Sequence, residues 1–155
     1  MEGTMKRLAL HDRKAWVEQA PIPSAHGANV VVRLESTPIC GSDKKHFLNP
    51  DKTIRYAGHE GTGVVVEVDK SNLVKVGDRV LTNCLSGCGV CEHCRSGNYV
   101  YCENKLPMDQ MASHFCQYTI LQDFLCIPLP EAILIAATTR NKINMITMTQ
   151  KPAIS

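Results

Sequence analysis

The stretch Gly58-His59-Glu60-Gly61-Thr62-Gly63-Val64-Val65-Val66-Glu67-Val68-Asp69 (GHEGTGVVVEVD, residues 58–69) decides how the chain is read. Its second part, 62–69, is the most strand-like segment present: a valine run entered through glycines that let the backbone bend tightly. Working outward, 29–36 (NVVVRLES) is again rich in valine and is bounded by His26-Gly27 and Pro38, which predicts another strand. Residues 74–82 (VKVGDRVLT) place Gly77-Asp78 between valines, a turn feeding a further strand. Shorter candidates lie at 5–10, 116–121 and 124–127. Strands at this spacing predict a mainly β fold, a barrel or sandwich, with few short helices. The pattern is interrupted at 87–101 by turn residues and cysteines, which read as a lobe on the barrel surface.

Composition narrows the class. The chain has 155 residues, 44% hydrophobic and 21% charged, as expected of one compact globular domain. Its formal charge is +2, from 17 basic and 15 acidic residues, which gives no electrostatic case for nucleic acid or an anionic membrane. No run approaches the ~20 apolar residues that span a bilayer. The start, MEGTMKRLALHDRK, has no apolar signal-like core, so the expectation is a cytoplasmic protein. Eight cysteines in that compartment point to metal binding or thiol chemistry rather than disulfides. A soft boundary falls at Pro130, dividing a domain at 1–130 from a tail at 131–155. The tail has no acidic residue from 132 onward, and its AILIAATT segment fits a helix or a strand equally.

Cys88, Cys91, Cys94 and Cys102 form C-x2-C-x2-C-x7-C. Turns of this spacing point several sulfurs at one tetrahedral ion, and a four-cysteine shell leaves no position for substrate, which is the chemistry of a structural zinc site. A small lobe poor in apolar residues gains its folding energy largely from such a metal. Cys84 lies outside the two-residue rhythm; an iron–sulfur cluster would use a different spacing. Reduced, unliganded thiols and thiol-based redox sensing are the competing readings.

A second constellation comprises Cys40 in CGSD and His59-Glu60 in GHEGTG. Thiolate, imidazole and carboxylate are the donor types of a catalytic zinc, and neighbouring glycines let both segments bend. Asp43 is placed to accept a hydrogen bond from the His59 ring, and Ser42 to take a proton from an alcohol. Each residue also has a plain alternative: a buried thiol, a loop histidine, a solvated glutamate. Residue chemistry alone leaves the two readings open.

The order CGSD, GHEGTG, VGDRV (76–80) and C-x2-C-x2-C-x7-C resembles the zinc-dependent medium-chain alcohol dehydrogenases, nearest the polyol, threonine and sugar dehydrogenases, over about residues 5–130. The resemblance implies a GroES-like β-barrel as the catalytic domain. It implies Cys40 and His59 as catalytic zinc ligands, with Glu60 ligating or lying just behind the metal. Ser42 then begins a proton relay, Asp43 partners the His ligand, and Cys88, Cys91, Cys94 and Cys102 hold structural zinc. It also implies NAD(P) as hydride acceptor and a small alcohol or polyol as substrate, with homo-oligomer formation left open. Family members often carry a relay histidine five residues after the first cysteine; here that position is Lys45, with His46 next to it. The nucleotide-binding G-x-G-x-x-G is absent, Gly97 being the last glycine, and no Glu or Cys follows Glu131 to supply a final catalytic ligand. Two expectations therefore compete: the catalytic portion of an alcohol dehydrogenase, or a zinc-binding fragment without activity of its own.

Overall fold

The computed structural model describes residues 2–48, 54–83, 85–105 and 113–130. Cys84 and the tail at 131–155 lie outside the described residues. The chain opens with a hairpin, β1 (Thr4–His11) and β2 (Lys14–Pro21), paired so that His11 faces Lys14. The connecting residues Asp12 and Arg13 have φ of 46° and 59°. Two-residue hairpin loops match the strand twist when both residues are left-handed, and glycine or asparagine usually marks them. Here neither is present, and β2 is largely exposed, which is why the sequence pattern did not show it. Arg13 instead anchors the turn by donating from Nε to the Leu48 carbonyl at 3.3 Å.

The main sheet is antiparallel with five strands in the order β6-β3-β4-β5-β7. Its strands are β3 (Asn29–Ser36), β4 (Gly61–Val68), β5 (Arg79–Thr82), β6 (Tyr118–Gln122) and β7 (Cys126–Pro128). Val30, Val31 and Val32 are all fully buried, so both faces of β3 are covered there, and a continuous valine run replaces the usual alternation. Val30 and Val32 pack with Val65, Val80, Leu121 and Leu125 in the main core. Residues 124–127 are not one strand as expected: a 3-10 turn, Asp123–Leu125, precedes β7 and buries Leu125.

The segment leading into β6 joins hairpin to sheet. Gln117 donates its N–H to the Lys6 carbonyl at 3.1 Å and accepts from Leu34 N–H at 2.9 Å, and Leu8 N–H reaches the Phe115 carbonyl at 2.8 Å. Met5, Ala20 and Cys116 form a second core beneath that seam, and Leu10, Ala57 and Phe115 a third. The third core lies directly behind the GHEGTG loop. The helices are few and short, α1 (Gly41–Leu48) and α2 (Glu92–Arg95), and none among the described residues is long and apolar enough to cross a membrane.

Candidate metal centres

The four lobe cysteines converge as their spacing predicts: their sulfurs all lie within 4.8 Å of one another. Cys91 caps α2, its sulfur accepting from Cys94 N–H at 3.4 Å. Cys88 Sγ accepts from Cys91 N–H, and Cys102 Sγ from Cys88 N–H, both at 3.3 Å. Backbone N–H groups aimed at sulfur favour the thiolate, which is the ligating form. The N–H groups of Val90 and Cys91 lower the Cys88 thiol to about 6, whereas burial raises Cys94 to about 12. Cys88 and Cys94 sulfurs stand 3.9 Å apart, close to the ~3.8 Å edge of a tetrahedron with Zn–S bonds of ~2.3 Å. The donor set therefore fits zinc. Glycine is required beside it: a Cβ on Gly87 would come 2.6 Å from Cys94 Sγ. The lobe is tied to the sheet by Tyr99 against Phe124, ring centroids 5.6 Å apart, and Phe124 packs on the main core.

The second cluster is assembled by folding. Cys40 precedes α1, and His59 and Glu60 precede β4, yet one donor atom from each lies within 4.8 Å of the other two. Asp43, buried on α1, holds the segments together. Its Oδ2 accepts from Cys40 N–H at 2.8 Å, and its Oδ1 lies 3.3 Å from Gly58 N and 3.5 Å from His59 Nδ1. A carboxylate beside Nδ1 favours the tautomer protonated there and leaves the Nε2 lone pair for a metal. On the Nε2 side stand Ser42 Oγ at 3.4 Å and Glu60 Oε1 at 3.7 Å. The thiol, imidazole and carboxylate set suits zinc with a position to spare. Gly58, at φ 90°, bends the loop, and a Cβ there would meet Phe115 N at 2.6 Å.

Two described cysteines serve neither cluster. Cys116 and Cys126 are buried, and burial raises both thiols to about 12. One polar residue gave no sequence signal. His114 is 4% exposed, its ring lies against the GHEGTG loop, and neither ring nitrogen has a hydrogen-bond partner among the described residues. Burial lowers its pKa to about 4, opposed by the ring's interaction with the Gly58 backbone and aided by repulsion from His59.

The described residues thus form a mainly β domain with two separate donor clusters, one of four thiols and one of thiol, imidazole and carboxylate, each able to hold a metal ion. Residues 26–131 match the alcohol dehydrogenase GroES-like domain, and the chain belongs to that family. It is 32% identical over 152 residues to a sorbitol dehydrogenase of Bombyx mori, covering 83% of this chain and 43% of that protein. It is 31% identical over 144 residues to an L-threonine 3-dehydrogenase of Xanthomonas campestris, covering 86% and 41%. Among solved structures it is similar to a zinc dependent alcohol dehydrogenase from Streptococcus pneumonia, with TM-score 0.70, 28% identity, and 83% and 39% of the two chains covered. It is also similar to a short chain alcohol dehydrogenase of E. coli complexed with NADH, with TM-score 0.71, 25% identity, and 84% and 40% covered. The chain thus spans about two-fifths of the length of these relatives.

Proposed function

We propose that this chain supplies the metal-carrying, alcohol-binding part of a zinc-dependent dehydrogenase that oxidises a small alcohol or polyol, with NAD(P) as hydride acceptor. The observation that carries the reading is the convergence of Cys40, His59 and Glu60 donors from two separate segments around a space that Ser42 also borders. Zinc bound there supplies Lewis-acid polarisation of the alcohol. Ser42 Oγ accepts the hydroxyl proton and passes it outward, being exposed on α1. Asp43 keeps the His59 proton on Nδ1 and fixes the ring plane. Ser42 is exposed on α1, as are Lys45 and His46, so the proton it takes can pass directly to solvent. Cys88, Cys91, Cys94 and Cys102 hold a second zinc that closes the lobe and takes no part in turnover.

Cobalt(II) in place of zinc tests the reading on this chain. Two metal ions per chain are expected, one for each cluster, and the visible spectrum of the ion lost in Cys40→Ala should change when sorbitol or L-threonine is added in excess. A stoichiometry of one, or a spectrum indifferent to every alcohol, overturns it. A second reading is a zinc-binding polypeptide without turnover of its own, which needs only the two donor clusters. The isolated polypeptide is then expected to show no alcohol-dependent reduction of NAD or NADP; robust turnover excludes it.

A further inference from the structure

His114 stands outside the roles assigned above. Its N–H donates to the Gly58 carbonyl at 2.9 Å, and its ring packs on Gly61, where a Cβ would lie 3.3 Å from Cδ2. Gly58 and Gly61 bracket His59 and Glu60, so the imidazole rests against the loop that carries both donors. Among the described residues neither buried nitrogen meets hydrogen-bond geometry, although the ring feels the Gly58 backbone, and a buried polar group so poorly satisfied keeps much of its desolvation cost. Other polar groups nearby are already engaged. Asp43 is committed to Cys40, Gly58 and His59, and Cys116 donates its thiol proton toward the Ser113 and Tyr118 carbonyls. Residues 132–155 contain no Cys, His, Asp or Glu.

We propose that His114 is a fourth protein ligand of the ion held by Cys40, His59 and Glu60, its imidazole swinging onto the metal as the metal binds. The inference rests on reading those residues as a metal site. His114 is not part of the group of donors lying within 4.8 Å of one another, so ligation requires its ring to rotate. The rotation relieves an orphaned nitrogen and adds a neutral imidazole, the commonest side-chain donor to zinc. His114 would then hold the ion together with Cys40, His59 and Glu60.

The test is a proton–cadmium correlation spectrum of the full chain loaded with cadmium-113. One cadmium should couple only to cysteine protons, and the other to ring protons of both His59 and His114. Coupling to His59 without His114 overturns the inference. Absence of the second cadmium altogether overturns instead the metal-site reading beneath it. His114→Phe supplies an independent measurement. Affinity for the second cadmium should fall by more than about 100-fold, beyond what a merely supporting hydrogen bond costs. The metal-free variant should melt at the parent temperature or above it, because phenylalanine fills the space without unpaired nitrogens. Unchanged affinity overturns the proposal.

Discussion

Replacing Asp43 by alanine removes the side chain that ties the Cys40 turn to the GHEGTG loop. Two backbone N–H groups, of Cys40 at 2.8 Å and Gly58 at 3.3 Å, lose their acceptor, and the His59 ring loses its neighbour at 3.5 Å. Hydrogen bonds to a charged acceptor contribute about 1.5–3 kcal/mol each, and the longer of the two sits at the low end. The expected loss is therefore about 3–4 kcal/mol, a large share of the ~5–15 kcal/mol that holds a domain of this size. Asp43→Asn keeps one carbonyl oxygen but turns an NH2 toward the other donor, so about half of the loss is expected. Urea unfolding with chelator present is the assay, because metal bound to the native state would add its own linkage. The reasoning fails if Asp43→Ala unfolds within about 1 kcal/mol of the parent, since the carboxylate would then be an ornament of an already rigid loop.

The lobe offers a pH test with a definite sign. In the metal-free chain Cys88, lowered to about 6, is a thiolate across neutral pH, while Cys94, Cys116 and Cys126, raised to about 12, stay protonated. Iodoacetamide with peptide mapping should show Cys88 alkylation rising as pH increases through about 6, not through 9, and the other three silent at neutral pH; equal labelling of all four contradicts the N–H···S pattern. Gly87→Ala drives a methyl group into Cys94 Sγ. Metal analysis should find the lobe ion lost and the other kept, and full loading would show that the sulfur yields easily.

Legibility in the sequence followed the range of the interactions. The lobe could be read because three of its donors are separated by only two residues and the fourth by seven, so short turns bring their sulfurs together. The valine segments announced β3, buried on both faces over Val30–Val32, and β4, where buried and half-buried residues alternate. β2 was invisible because its turn has left-handed residues without glycine and its strand is exposed, leaving no periodicity to detect. Cys116, assigned to a strand by its neighbours, instead bridges to Arg7 ahead of β6, a pairing set by distant chain.

The sequence by itself determined the mainly β class, the four-thiol lobe and the donor types of a second cluster, because these depend on residue chemistry and short separations. Tertiary structure decided that Cys40 reaches His59 and Glu60, that Asp43 clamps the two segments, and that His114 lies buried against the loop. Those facts depend on how α1 and the segment before β6 pack on β1 and β4, and no local pattern encodes a contact between residues so far apart along the chain.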